Sequence, residues 1–186
     1  MRIIAGQFRS RPLHSLRGMD IRPTSDRLRE TLFNVLTSGN PEALTGSIWL
    51  DLFAGTGAVG IEAISRGAGM VYFVESSKPA TELLYSNLRS LGLETGYQLL
   101  QQSALRGIAS IASMGVQPDF IFLDPPYRMQ ETYGEILDAL AESHLSTNAL
   151  VIVEHEKKFD PGEQFGALQR TRLLRQGDSA LSFYRY

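Results

Sequence analysis

The fold of this chain is decided by Ile48-Trp49-Leu50-Asp51-Leu52-Phe53-Ala54-Gly55-Thr56-Gly57-Ala58-Val59-Gly60. The apolar run before the first glycine predicts a buried strand, and the apolar residues after the second predict a helix. The three glycines fit the pattern G-x-G-x-x-G in the strand–turn–helix context that this pattern requires. Glycines there permit a tight turn and let a ligand approach the backbone closely. The stretch therefore predicts an α/β fold with a cofactor-binding loop.

Strand-like and helix-like segments alternate along the rest of the chain. Strands are predicted at 48–53, 70–74, 97–101, 119–123 and 149–153, and helices near 57–66, 78–91, 104–113 and 130–143. Such alternation predicts a parallel sheet that is covered by helices on both faces. Two further strand-like segments, 168–174 and 180–184, are joined by a Gly-Asp turn and predict a closing hairpin.

Two carboxylates next to the glycine loop bear on the identity of the cofactor. Glu75 ends the second predicted strand, 20 residues after Gly55, where a carboxylate accepts hydrogen bonds from ribose hydroxyls. On this pattern alone NAD is a fair ligand. Asp51 argues against NAD, because a carboxylate just before the loop would repel a pyrophosphate. It suits a cationic group, such as the ammonium of a methionine moiety.

A second loop follows the apolar strand at 120–123 and consists of Asp124-Pro125-Pro126-Tyr127. Proline fixes φ and has no N–H, so the strand ends abruptly and the loop is stiff. It presents a carboxylate, a backbone carbonyl and an aromatic face at the end of the sheet where α/β proteins bind ligands. Hydride transfer does not need such a loop. It suits an enzyme that methylates an amino group on a flat ring.

Composition narrows the class of protein further. The chain has 186 residues, 43% of them hydrophobic and 20% charged, and contains no cysteine, so disulfides and thiolate metal sites are excluded. No signal-like or membrane-length apolar run is present, so the cytoplasm is the expected location, with no membrane partner. The three histidines have no metal-ligand spacing, and no metal is expected. We expect a monomer.

Charge is distributed unevenly. The first 29 residues hold seven arginines against two aspartates, a net charge of +5, although the whole chain carries −2. Arginine suits phosphates and stacks on bases, so this segment predicts an arm that binds nucleic acid. The alternative is a solvated extension whose arginines pair with the acidic body. The predicted nucleic-acid contacts are Arg2, Arg9, Arg11, Arg22 and Arg27.

Longer motifs resemble a known family. The segment 51–57 resembles motif I of class I S-adenosylmethionine methyltransferases, and the loop 124–127 resembles motif IV of their amino-methylating branch. The blocks 22–34 and 177–184 resemble the bacterial 16S rRNA guanine-N2 methyltransferase family. The similarity covers nearly the whole chain.

The resemblance implies a Rossmann-like, seven-stranded, mostly parallel sheet with helices on both faces and a C-terminal antiparallel hairpin. Residues 1–23 would form a small β-rich extension that contacts RNA, and residues 24–186 the methyltransferase domain. The substrate would be a guanine of 16S rRNA within an assembled or assembling small ribosomal subunit. The catalytic residues would be Asp124, Pro125, Pro126 and Tyr127.

The same resemblance implies S-adenosylmethionine as the cofactor. Its binding residues would be Asp51, Phe53, Ala54, Gly55, Thr56, Gly57, Glu75, Ser76, Ser103 and Ala104. The chain departs from related enzymes after the third strand, where an acidic residue usually contacts the adenine amine. Gln102-Ser103-Ala104 occupies that place, and Ser103 or a backbone group is the expected substitute.

Several alternatives remain open at this point. The acceptor loop serves any exocyclic amine, so adenine N6, cytosine N4 or a glutamine side chain are also candidate acceptors. A non-catalytic ribosome-assembly factor with the same fold is a candidate from another class. A small NAD-binding oxidoreductase is a third, disfavoured by Asp51 and the proline loop.

Overall fold

The structure is a computed structural model and describes residues 1–15 and 25–186. Within these residues the α-helices are α1 (Asp26–Thr37), α2 (Ala58–Ser65), α3 (Lys78–Ser90), α4 (Ala104–Ser113) and α5 (Gln130–Glu142). The strands are β1 (Ile48–Leu52), β2 (Met70–Val74), β3 (Tyr97–Leu100), β4 (Phe120–Leu123), β5 (Leu150–Glu156), β6 (Gln164–Phe165), β7 (Leu168–Gln176) and β8 (Ser179–Arg185). A short 3-10 helix spans His144–Ser146.

The strands form one sheet in the order β3-β2-β1-β4-β5-β8-β7-β6. The first five strands pair in parallel, and β8, β7 and β6 add antiparallel pairs. The mostly parallel sheet and the C-terminal hairpin are therefore confirmed. The eighth strand, β6, is additional to the seven that were expected. It is two residues long and exists through its pairing with β7, which no local pattern encodes.

Helices cover both faces of the sheet, as predicted. In β4, Phe120 and Phe122 belong to the core beneath α1, α2 and α3, whereas Ile121 and Leu123 belong to the core beneath α4 and α5. This alternation follows from the two-residue period of a strand. Trp49 of β1 is fully buried and stacks between Phe33 and Phe120.

The neighbouring strands β1 and β4 position the two predicted loops. From β1 the chain crosses to β2 on one side and later returns to form β4 on the other, so a topological switch point lies between them. Leu52, the last residue of β1, pairs with Leu123, the last residue of β4. The loops that follow these strands therefore leave the same edge of the sheet side by side. Open α/β sheets bind ligands at such a point.

Residues 1–15 lie against the sheet domain. They carry an antiparallel bridge between Arg2 and Pro12, and Ile3 and Leu13 are buried in the core that α2 and α3 share. The carboxylate of Glu62 in α2 accepts the backbone N–H groups of Ile4 and Ala5 at 2.8 and 3.0 Å. Buried hydrogen bonds to a charged group are strong, so this contact fixes the segment to α2.

The helices and side-chain groups bear on membrane and metal binding. None of the helices in residues 1–15 and 25–186 combines the length and apolar character needed to cross a membrane. The same residues contain no group of three or more His, Asp or Glu side chains that could hold a metal ion.

Two predictions lie outside the described residues. They are the nucleic-acid contact of Arg22 and the domain boundary at residues 23 and 24.

Candidate active site

The glycine loop joins β1 to α2 through a left-handed backbone. Phe53 has φ +63°, which is uncommon for a residue with a side chain, and Gly57 has φ +79° at the N-cap of α2. A Cβ atom on Gly57 would lie 2.0 Å from Leu84 Cδ1, and one on Gly60 would lie 2.3 Å from the Phe73 ring. The glycines are thus required for the turn, as the pattern predicted, and the structure adds that Gly60 is required for the close packing of α2 on β2.

Asp51 lies buried just before the glycine loop. Its carboxylate accepts the N–H of Gly60 at 3.0 Å, which ties the end of β1 to the first turn of α2. Burial raises the pKa of Asp51 to about 7, against the lowering effect of the Gly60 hydrogen bond, and the nearby Glu75 carboxylate raises it further. A carboxylate that is costly to ionise gains most from a cationic ligand, which suits the predicted role.

Glu75 follows β2 and contacts the glycine loop from that neighbouring strand. One of its oxygens accepts the N–H of Gly55 at 2.9 Å and the other accepts the N–H of Ser77 at 2.7 Å. Each carboxylate oxygen has a further lone pair, so Glu75 keeps acceptor capacity for ribose hydroxyls while it shapes the loop. The neighbouring Ser76 is exposed at the same edge.

The predicted adenine region lies at the start of α4. Ser103 is the N-cap residue, is exposed, and makes no side-chain capping hydrogen bond, whereas Ala104 is buried. The side-chain nitrogen of Gln102 is buried and has no hydrogen-bond partner among the described residues. The region therefore offers a hydroxyl and an amide donor at the place where the adenine contact is expected.

The acceptor loop is held from several directions. Asp124 and the Tyr127 ring are half-buried, and Pro125 is buried. The Tyr127 hydroxyl lies 3.0 Å from Ser179 Oγ on β8 and 3.5 Å from the buried carboxylate of Glu154 on β5. Ser179 and Glu154 therefore fix the orientation of the Tyr127 ring, which gives Ser179, within the block 177–184, a physical role.

Most of the predicted cofactor-binding and catalytic residues lie at one edge of the sheet. Asp51 lies at the end of β1, residues 53–57, Glu75 and Ser103 follow β1, β2 and β3, and the acceptor loop follows β4. All of them therefore lie at the carboxyl edge of adjacent parallel strands. The structure places them at one edge. Their individual roles stay predictions.

The arginines of the first 29 residues have different environments. Arg2, Arg9, Arg11 and Arg27 are exposed, and Arg11 donates to the carbonyl of Ser90 at the end of α3 at 2.7 Å.

Arg29 is fully buried. It lies 3.6 Å from Glu62 and 3.0 Å from Asp26, and it also donates to the carbonyl of Arg2.

Sequence reasoning missed residues that support the site. Asn87 of α3 is fully buried. Its side-chain oxygen accepts the N–H of His14, and its side-chain nitrogen donates to the carbonyl of His14 and, at 2.9 Å, to that of Thr56. Asn87 therefore links residues 1–15 to the glycine loop. A polar residue on the apolar face of α3 was the available signal.

Tyr133 of α5 donates to the Pro125 carbonyl at 3.3 Å. An aromatic residue at a core position of a helix gives no signal of that contact.

Comparisons with known proteins place this chain in a family. Residues 1–185 match the family model described as conserved hypothetical protein 95. The chain is 38% identical over 160 residues to ribosomal RNA small subunit methyltransferase D of Haemophilus influenzae, covering 84% of this chain and 79% of that protein. The Escherichia coli K12 protein of the same name is 35% identical over 159 residues, with coverages of 84% and 75%.

A solved structure agrees over the full length. A hypothetical protein of Thermus thermophilus superposes with a TM-score of 0.84 at 28% identity, covering 100% of this chain and 99% of that one. The sequence match and the shared fold therefore span the glycine loop, the acceptor loop and the C-terminal hairpin together. The chain belongs to the conserved hypothetical protein 95 family, the family of the ribosomal RNA small subunit methyltransferases D.

Proposed function

We propose that this protein transfers a methyl group from S-adenosylmethionine to the exocyclic N2 amine of a guanine in 16S rRNA. The observation that carries the proposal is the adjacency of β1 and β4, because the residues that follow these strands, 53–57 and 124–127, leave the sheet side by side at its switch point. The names of the relatives support rRNA of the small subunit as the substrate class.

The glycine loop would hold the donor. The Asp51 carboxylate would pair with the ammonium of its methionine moiety, and Glu75 would accept hydrogen bonds from its ribose hydroxyls. Ser103 and the buried Gln102 amide lie where the adenine contacts are expected. The sulfonium supplies an already activated methyl group, so the protein's contribution is to position the donor and the acceptor.

The acceptor amine needs help because its lone pair is delocalised into the guanine ring. Two hydrogen-bond acceptors, the Asp124 carboxylate and the Pro125 carbonyl, favour a pyramidal nitrogen whose lone pair points at the methyl carbon. Both interactions strengthen as positive charge develops on that nitrogen, which stabilises the transition state. As the nitrogen–carbon bond forms, the bond between the methyl carbon and sulfur breaks, and S-adenosylhomocysteine is the leaving group. Asp124 then receives the proton from the nitrogen, directly or through water. The Tyr127 ring, fixed through its hydroxyl, offers a surface on which the turned-out base stacks.

RNA binding is assigned to the arginines predicted above, which are Arg2, Arg9, Arg11, Arg22 and Arg27. Exposed Arg2, Arg9 and Arg11 lie on a segment that Glu62 and Asn87 fix to the methyltransferase domain of residues 24–186. A positively charged segment next to the active site would hold the phosphates of the substrate while the base enters. The enzyme acts as a monomer on an assembled or assembling small subunit.

One experiment tests the proposal and its alternatives. Radiolabelled S-adenosylmethionine is offered with naked rRNA, small subunits lacking the modification and DNA, and the labelled nucleoside is then identified. We expect label on N2 of one guanine of 16S rRNA. Label on adenine N6, on cytosine N4 or on protein would overturn the guanine assignment. Absence of transfer to every substrate would favour a non-catalytic assembly factor, and calorimetry that detected NAD binding in place of S-adenosylmethionine would refute the donor.

A further inference from the structure

Two of the four acceptor-loop residues, Pro125 and Pro126, have no N–H group with which to hold the loop. The carbonyls of both prolines accept hydrogen bonds. The Pro126 carbonyl accepts the N–H of Met129 at 2.8 Å, which closes a local turn. The Pro125 carbonyl accepts the hydroxyl of Tyr133 at 3.3 Å. The second contact comes from a different element, α5, and it reaches the one carbonyl to which the proposed reaction assigns a role.

Tyr133 is a rigid donor. Its side chain is buried, and its ring packs against Phe159 with 5.1 Å between centroids. Burial raises the pKa of Tyr133 above its usual range, and the negative charge of Asp124 raises it further, so the hydroxyl stays protonated. A protonated phenol fixed in a packed core donates in one direction.

We infer that Tyr133 is a positioning residue that orients the Pro125 carbonyl toward the acceptor amine, an inference that rests on the proposed function. A carbonyl oxygen has two lone pairs. The Tyr133 hydroxyl occupies one from the protein interior, which fixes the rotation of the Pro125 carbonyl and directs the second lone pair toward the acceptor side of the loop. A carbonyl free to rotate would leave one amine N–H without its acceptor in the transition state.

The test replaces the hydroxyl alone. Tyr133→Phe keeps the ring and its contact with Phe159 but removes the donor. We expect kcat for methyl transfer to small subunits to fall by about 10- to 100-fold, the range that a small misplacement of a reacting group costs. KM for the subunits and the affinity for S-adenosylmethionine should stay within about twofold, because the hydroxyl is buried and donates to the Pro125 carbonyl.

Tyr184→Phe is the matched control. Tyr184 is also fully buried and donates its hydroxyl to a backbone carbonyl, that of Gly162, at 2.7 Å. Tyr184→Phe removes the same kind of hydrogen bond but leaves the contact with Pro125 intact, so its kcat should stay at the wild-type value. Calorimetry with S-adenosylmethionine verifies that both variants are folded.

The possible results separate this inference from the proposed function. An unchanged kcat in Tyr133→Phe, a change confined to KM, or an equal loss in Tyr184→Phe would overturn the role of Tyr133. A wild-type enzyme that methylates an amine other than guanine N2 would refute the guanine assignment, while a selective loss of kcat in Tyr133→Phe would still support the positioning role. A wild-type enzyme inactive toward every amine would overturn both.

Discussion

Replacing Asp51 with Asn should stabilise the protein at neutral and alkaline pH while weakening cofactor binding. Asp51 is buried at the end of β1, where its carboxylate accepts the N–H of Gly60. An asparagine oxygen can accept the same hydrogen bond but carries no charge. The variant therefore isolates the cost of burying an ionisable group next to the glycine loop.

The magnitude follows from the pKa of Asp51, which burial raises from 3.8 to about 7. Because the folded pKa lies above the unfolded value, the contribution of Asp51 is fully present below about pH 4 and is lost as pH rises through 7. The full loss is about 4 kcal/mol, because each unit of pKa difference corresponds to about 1.4 kcal/mol. About 2.5 kcal/mol of it falls between pH 5 and pH 8.

Urea unfolding of wild type and Asp51→Asn without cofactor, at pH 5 and pH 8, gives the free energy of unfolding of each protein. The difference between the two proteins measures the contribution of Asp51. Asp119→Asn is the control, because Asp119 accepts the N–H of Ile48 at the other end of β1 but is exposed. The gain in relative stability with pH should appear for Asp51→Asn and be absent for Asp119→Asn. Equal pH dependence of wild type and Asp51→Asn would refute the reasoning, as would undiminished affinity for S-adenosylmethionine.

Three further predictions concern the acceptor loop, the arginines and the glycine loop. Asp124→Asn should lower kcat at least about 100-fold, since the proton acceptor is lost, and leave cofactor affinity within about threefold in calorimetry. Removing both Arg9 and Arg11 by alanine should weaken RNA binding and reduce the salt slope of log K by about 1.5, measured by fluorescence titration. Gly57→Ala should destabilise the protein by about 2 to 4 kcal/mol in urea, because the left-handed φ and the contact with Leu84 both penalise a Cβ.

Each of these changes has a matched control on the same chain. Asp138→Asn alters an exposed carboxylate on α5 and should leave kcat unchanged. Alanine at Arg172 and Arg175, exposed on β7, removes two charges outside the arm and should preserve the salt slope. Gly39→Ala shares the left-handed φ, at +82°, but meets no atom within 4 Å, so it should cost only about 1 kcal/mol. A variant that behaved like its control would contradict the corresponding prediction.

Most element boundaries were predictable to within one or two residues. The helix expected at 104–113 is α4 as observed, and the strand expected at 70–74 is β2. The strand expected at 149–153 extends to Glu156, because residues 154–156 pair with β8 in antiparallel register. Strand β6 was missed for the same reason, since its two residues are a strand only when β7 lies beside them. Pairing between distant segments leaves no local pattern to read.

The candidate site divides in the same way. Asp51, Glu75 and the three glycines were identifiable because strand, turn and helix signals are adjacent in the chain. The contact of Tyr133 with Pro125 was not, because a core tyrosine has the same helical spacing with or without an acceptor for its hydroxyl. The anchoring of Tyr127 by Ser179 joins residues 52 positions apart.

The sequence by itself therefore determined the α/β class, the cofactor loop at 51–57 and the acceptor loop at 124–127. Periodicity, glycine and proline act on backbone conformation within a few residues, so their effects are local. Only the tertiary structure decided that β4 lies beside β1 and that hydroxyls from α5 and β8 hold the acceptor loop. Those contacts form when the sheet assembles, because strand order and side-chain direction are set by packing between segments far apart in the chain.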